Sequence, residues 1–376
     1  MKGIYIHIPF CASACFYCNF HFSTAKKFQK DFVQALKKEI ILKKNFFTEN
    51  TIIDTLYFGG GTPSVLELGD MEDLCSFLHL HFNLKSLKEF TVEANPEDLS
   101  LNKLKKFKEL GVTRLSIGVQ SFNESTLKYL GRQHDGKQAL KSIENAQKAD
   151  FENISIDLIY GVPTQTKAIW QKDLETFYQL NLPHVSCYCL TIEDKTPLAL
   201  WINQKKIKPV DDDLSVCHYK TMTPIMFQKG YVHYEISNFA KHTYYSKHNL
   251  IYWQNGAYLG MGPSAHSYNG SFRSWNISHT SHYINAVNNH DTLTESEKPD
   301  KSTLFNEYIF TALRTMWGVK WSKVKTVFGK NYYDYLNKKM RHVQMQHMLE
   351  ETSEGFRISE KGKLFADKIA AHFFVV

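Results

Sequence analysis

Residues 5–18 read Tyr5-Ile6-His7-Ile8-Pro9-Phe10-Cys11-Ala12-Ser13-Ala14-Cys15-Phe16-Tyr17-Cys18. The apolar run before Pro9 predicts a buried strand over residues 3–8. The three cysteines then fall on a loop, since Ala12, Ser13 and Ala14 between them do not make a core segment. Thiolates are the usual ligands of iron–sulfur clusters. Three ligands for four irons leave one iron open, and an open iron can chelate the amino and carboxylate groups of a small molecule. The competing reading is zinc, which normally shows a fourth Cys or His in paired spacing. His21 is the residue that would complete such a site.

Outward from this loop the chain repeats one pattern. Short apolar or β-branched runs at 3–8, 54–58, 89–93, 114–120, 153–158 and 184–190 alternate with helical patterns at 26–43, 70–81, 101–110, 137–149 and 167–180. Strands alternating with helices imply parallel βα units. Six units predict an α/β fold with an open or partial (β/α)6 barrel rather than a complete eightfold one. In such barrels the chemistry collects at the C-terminal ends of the strands. Those ends carry Gly59-Gly60-Gly61-Thr62, Glu93, Gln120 and Asp157. Singly, each reads as well as a satisfied structural group. Jointly they favour a site, because packing alone does not call for polar residues at equivalent places in successive units.

The rhythm fades after residue 235, so residues 1–235 read as the core domain. Residues 236–294 form a connecting region rich in glycine and aromatics, containing His248-Asn249-Leu250-Ile251-Tyr252-Trp253. Residues 295–376 read as a mostly helical, winged-helix-like domain. Its helices are expected at 301–316, 321–328, 332–349 and 360–373, with a short strand at 356–358.

The chain has 376 residues, 43% of them hydrophobic and 14% aromatic, which suits a large packed core and argues against disorder. A formal charge of +7 without a compact basic stripe gives no nucleic-acid footprint. The opening MKGIYIHIPF reads as a strand rather than a secretory segment. No apolar stretch approaches the ~18 residues of a membrane span. The expectation is a cytoplasmic protein that does not span a membrane, a composition still compatible with peripheral membrane association. Seven cysteines in a reducing compartment point to metal or packing roles. Cys75, Cys187, Cys189 and Cys217 are read as packing residues, with Cys187 and Cys189 on one side of a strand.

The cysteine loop, with GGGTP at 59–63, EANP at 93–96, GVQS at 118–121, GRQH at 131–134, DLIYGVP at 157–163 and GMGPSAHS at 260–267, closely resembles the radical SAM family. The match is closest to its branch of oxygen-independent coproporphyrinogen oxidase and the HemW-type heme chaperones. It runs over nearly the whole chain. The resemblance implies a [4Fe–4S] cluster on Cys11, Cys15 and Cys18, with S-adenosylmethionine (SAM) beside it. It implies that Tyr5 and Tyr17 flank SAM and that Gly60, Gly61 and Thr62 lie along it. Glu93 would contact its amino or ribose groups, and Gln120, Arg132 and Asp157 would line the same cavity. The implied chemistry is the cofactor's, a one-electron cleavage of the sulfonium that leaves a 5′-deoxyadenosyl radical.

Within that branch two functions compete, a decarboxylating oxidase and a heme chaperone. The oxidase pattern resembles CxxxCxxCxC, whereas Phe20 stands at the position of the further cysteine. The oxidase also carries an extension before its first strand, and only four residues precede Tyr5 here. The third feature is the HNxxYW motif at 248–253, associated with the chaperones. All three features favour the chaperone, with heme and heme-receiving client proteins as partners and His248, Tyr252 and Trp253 as heme contacts. Imidazole is a standard heme ligand, and His248 and Tyr252 share a face in either a helix or a strand. Trp253 is expected on that side only in a helix. A polar context between Lys247 and Asn249 suits an exposed loop histidine equally, and His233, His242 and His266 are alternative ligands.

Overall fold

The computed structural model describes residues 1–289, 291–341 and 347–375. Its centre is a run of six parallel strands in chain order: β1 (Lys2–Ile8), β2 (Thr55–Gly60), β3 (Glu89–Ala94), β4 (Arg114–Gln120), β5 (Asn153–Tyr160) and β6 (His184–Cys189). The predicted strands all form, within two residues at each end. The helices between them form too, and carry the sequence order right around the sheet. Among the described residues, the helices Glu124–Leu130, Pro197–Asn203, Asp212–Gln228 and Thr280–Asn289 form without having been expected from the sequence.

The partial barrel is thus as expected, yet the sheet continues past it. A hairpin of β7 (Val232–Glu235) and β8 (Asn238–Ala240) extends the β6 edge. On the other edge β9 (Ala257–Met261) pairs parallel to β1, followed by β10 (His266–Tyr268), β11 (Arg273–Asn276) and β12 (Thr294–Glu297). Among the described residues these twelve strands make one open sheet. After residue 235 all the added pairings except β9 with β1 are antiparallel, and antiparallel neighbours need no crossover helix, which is why the βα rhythm fades.

Strand alternation sorts the side chains. Ile4, Ile6, Leu56, Phe58, Phe90, Val92, Leu115, Ile117, Ile154, Ile156 and Val185 are buried in one hydrophobic core between sheet and helices. The alternate positions face the lumen and, Ile159 apart, are polar, aromatic or glycine. At the strand starts these include Thr55, Glu89, Arg114, Ser155 and His184, all buried. The helix Lys247–Trp253 closes this N-terminal end. Ser246 accepts from Asn249 N as its cap, and the Glu89 carboxylate accepts from Lys247 N and His248 N at 3.0 and 2.9 Å. A carboxylate at a helix N-terminus satisfies orphan N–H groups and opposes the helix dipole.

The C-terminal part packs its own core around Phe305, Ile309, Val324, Phe356 and Ile369. Two expectations fail there. The helix expected over 332–349 is Lys330–Arg341, and Leu349–Glu351 is a strand paired to Gly355–Ile358; residues 342–346 lie outside the described residues. The final helix begins at Ala366 rather than at residue 360. The hairpin sets Leu349 opposite Ile358 and buries Phe356 and Ile358 in the helical core, a tertiary demand that local periodicity does not carry.

Glu89→Ala should remove both acceptor bonds and leave the buried Arg114 without the carboxylate that faces it. Leaving a buried donor unsatisfied costs about 1–3 kcal/mol, so chemical denaturation should show a drop of at least that order. An unchanged midpoint would mean that the closing helix does not depend on this contact.

Candidate functional site

The cysteine loop leaves β1 at Ile8 and is tied down on both sides. Ser23 N donates to Pro9 O and Cys11 N to Ser23 O, while Phe16 N donates to Leu130 O at the end of the helix Glu124–Leu130. Gly131 ends that helix at φ +73°, and a Cβ there would lie 2.8 Å from the Phe16 ring. The loop after β2 pairs with it: Gly61 N donates to Ile8 O and Thr62 N to Phe10 O. Cys11, Cys15 and Cys18 are all half-buried free thiols at this rim.

Each thiol environment is polar. Thr62 donates its hydroxyl to Cys11 Sγ at 3.4 Å, and Arg132 donates Nη1 to Cys15 Sγ at 3.1 Å. Arg132 Nη2 also donates to Asn95 Oδ1 and to Gly118 O, while its buried Nε has no partner among the described residues. Burial pushes the Cys11 thiol up to about 11. Among the described residues no three His, Cys, Asp or Glu side chains converge as around one metal ion. His21, the residue that would have completed a zinc site, bonds through Nε2 to the Thr280 hydroxyl. Soft thiols on one loop, an adjacent guanidinium and an orphaned buried N–H fit an anionic sulfur cluster.

The remaining rim residues converge beside the cysteines. Glu93 accepts from Tyr57 OH at 2.6 Å and from Gly60 N at 3.0 Å. Burial holds its carboxyl at about 7, against the Tyr57 bond and with help from Asp157. Asp157 is also raised by burial, opposed by hydrogen bonds from Ser186 and Ser116. Glu93 and Asp157 nonetheless keep solvent contact, as expected of groups lining a lumen. Tyr5 donates to or accepts from His7 Nδ1 at 3.1 Å, with its ring 5.9 Å from Tyr57. Tyr17 lies within electrostatic reach of Arg132 and Asp157. Gln120, at the end of β4, is buried and held at φ +66°, a strained state for a non-glycine residue that clusters at functional sites.

Two details differ from expectation. Gly60 has φ +112°, and a Cβ on it would meet the His7 ring at 2.6 Å; one on Gly61 would meet Phe10 O at 2.7 Å. These glycines are demanded by the protein's own packing, beyond any approach of a ligand. Cys187 is buried in the core, but Cys189 is exposed at the end of β6, where the strand runs out of its cover. The site also includes residues that the sequence reading passed over. His7, Tyr57, Asn95, Ser116, Ser186 and Tyr188 all contact the groups above or line the same lumen. The signal that would have found them is the polar face at period two on every strand.

The HNxxYW residues lie at the opposite rim. His248 is buried, with Nδ1 bonded to Thr55 Oγ1 at 2.8 Å and Nε2 to Tyr252 OH at 2.9 Å. Burial, helped by Arg114, pushes it down to about 3, so the ring is neutral at pH 7. The segment is helical, yet Trp253 does not join His248 and Tyr252. It packs with Tyr234, Ala240 and Leu250, since five residues turn a helix by about 500°, well off the His248 face. The ring of His248 sits 4.9 Å from that of Tyr57, which in turn reaches Glu93. No helix among the described residues is long and apolar enough to cross a membrane.

Replacing Cys11, Cys15 and Cys18 together with Ala should abolish iron uptake on reconstitution, with Cys75→Ala unaffected; retained iron in the triple variant would refute the ligand set. Glu93 should also give SAM affinity a pH dependence. Below about 7 the carboxyl is protonated and loses its attraction for a cationic ligand, so affinity should rise from pH 6 to 8. Glu93→Gln should flatten that profile. An equal slope in both proteins would place the titrating group elsewhere.

The radical SAM superfamily model matches residues 5–177, and the HemN C-terminal domain model matches residues 300–365. The chain is 34% identical to the heme chaperone HemW of Lactococcus lactis, covering 100% of this chain and 97% of that protein. It is 33% identical to HemW of Bacillus subtilis, covering 99% of each. In fold it is similar to the Escherichia coli radical SAM enzyme coproporphyrinogen III oxidase, HemN, with a TM-score of 0.86 at 22% identity over 100% of this chain and 90% of that one. Membership brings a [4Fe–4S] cluster and SAM as cofactors. With its cysteine loop at the rim of a six-stranded parallel half-barrel and its similarity to those relatives along its full length, the chain belongs to the HemW family of the radical SAM superfamily.

Proposed function

We propose that this protein is a heme chaperone: it binds heme, carries a [4Fe–4S] cluster with SAM, and delivers heme to client proteins in the cytoplasm. The observation that carries this reading is the full-length identity to two proteins named for that activity. Phe20 supports it, being 75% exposed beside the cysteine loop, at the position where the oxidase pattern has its further cysteine. Residues 1–235 supply the cluster and SAM site, residues 236–294 the motif helix and the added strands, and residues 295–376 the C-terminal cover.

In this reading Cys11, Cys15 and Cys18 hold the cluster, with Arg132 steadying its negative charge at Cys15. When bound, the cluster supplies one electron to the SAM sulfonium. Tyr5, Tyr17, Gly60, Gly61 and Thr62 border the SAM pocket, and Gln120 and Asp157 close its far side. Glu93 accepts from a cationic amino group once ionised; Tyr57 and Gly60 N fix which way its oxygens face. The HNxxYW motif serves heme through Tyr252, which His248 orients, while Trp253 anchors the helix to the hairpin of β7 and β8.

A Soret titration should give saturable one-to-one heme binding, and an anaerobic assay with coproporphyrinogen III should give no multiple-turnover protoporphyrinogen formation. Steady turnover without saturable heme binding would replace the chaperone reading by the oxidase.

A further inference from the structure

Under the N-terminal rim, where β9 to β11 meet the C-terminal helices, lies a cavity of about 380 Å³, open to solvent on one side. Its volume is within the range of small-molecule sites. Its walls carry Tyr252, Tyr258, Tyr268, Tyr308 and Phe328. The Tyr252 and Tyr258 rings stand edge to face at 4.7 Å, and Tyr308 stacks on Phe328 at 5.7 Å. This is flat apolar area suited to a large planar ring system. The chain bordering it is π-helical over Val324–Phe328, a rare conformation that gathers at functional sites.

Two cations share the wall. Arg273 is paired to Glu307 and Glu297. Lys323 has no carboxylate partner among the described residues; its Nζ lies 4.5 Å over the Tyr308 ring and reaches Gln254 O only at 3.4 Å. A half-buried ammonium without a counter-ion is matched by an anionic ligand group.

The lining phenols differ in one respect. Tyr252 OH is bonded to His248, Tyr268 OH donates to Gly270 O, and Tyr308 OH accepts from Lys320 N. Tyr258 OH has no hydrogen-bond partner among the described residues, and no histidine lines the cavity. We propose that this cavity is the heme seat, with Tyr258 as the ligand of ferric iron and Lys323 pairing a propionate. The inference rests on the chaperone reading and adds where, and through which atom, heme is held. On binding, the Tyr258 oxygen bonds to iron, the phenol proton passes to solvent, and the water or chloride on the iron leaves; iron remains ferric. Arg273 beside Tyr258 opposes the burial that raises its pKa. Phenolate is a known heme ligand type. The open mouth lets the macrocycle leave for a client.

The test titrates ferric heme and, separately, metal-free protoporphyrin into the cluster-loaded full chain. Wild type should show the charge-transfer absorbance of a phenolate-bound ferric heme. Tyr258→Phe should lose that band and bind ferric heme roughly tenfold more weakly, yet bind the metal-free ring as wild type does. Thr311→Trp, which fills the cavity, should weaken both porphyrins. Iron content and the SAM response of the cluster, at the other rim, report that each variant is folded. Saturable wild-type binding that Tyr258→Phe leaves unchanged in affinity and spectrum overturns this seat and spares the chaperone reading. No saturable binding by wild type overturns both.

Discussion

The parallel pairing of β1 to β6, from Gly3 against Thr55 to Ser155 against His184, forces six strand ends onto one rim and six strand starts onto the other. Residues far apart in sequence, such as Cys11, Thr62, Glu93, Gln120 and Asp157, become neighbours because each ends or follows a strand running the same way. The same pairing gathers Thr55, Glu89, Arg114 and His184 into a buried polar layer at the opposite end. Polar groups there must be matched, because an unmatched buried charge costs several kcal/mol. The helix Lys247–Trp253 supplies part of that matching through its N–H groups and His248.

The two rims are linked through the lumen. Glu93 takes the Tyr57 hydroxyl, the Tyr57 ring lies against His248, and His248 holds Tyr252. Tyr252 then lines the cavity beneath the barrel. A change in the charge of Glu93 is therefore one aromatic layer away from the group that orients the cavity wall. The SAM end and the proposed heme end share this column while keeping their ligands apart, which suits a protein that must hold a redox cluster and a second iron cofactor separately.

The open edge of the barrel has a structural answer as well. A six-unit half-barrel leaves β1 and β6 exposed, and exposed edges invite pairing with other chains. Here β9 covers β1 and the β7–β8 hairpin covers β6. The region that follows the βα units in sequence thus finishes the sheet they begin, and it brings the HNxxYW helix with it.

The order of strands and helices, the loop position of the three cysteines and the polar strand ends were legible in the sequence, because parallel βα units impose local periodicity and a fixed chemical rim. Glu93, Gln120, Asp157 and Arg132 could be named for the same reason and through the family resemblance. Further residues were legible in principle. Thr55, Tyr57 and Gly59 alternate with Leu56 and Phe58, and His184, Ser186 and Tyr188 with Val185 and Cys187, so a polar inner face is written at period two. Tertiary structure alone decided the rest. It placed the HNxxYW helix at the rim opposite the cysteines and filled both nitrogens of His248. It turned Trp253 toward the β7–β8 hairpin, and left Tyr258 as the cavity phenol without a partner. The bond from His248 to Thr55 spans 193 residues of sequence, and the side that Trp253 takes follows from the segment being helical where it packs on the sheet; the i,i+4 spacing of His248 and Tyr252 was local, but neither of these was.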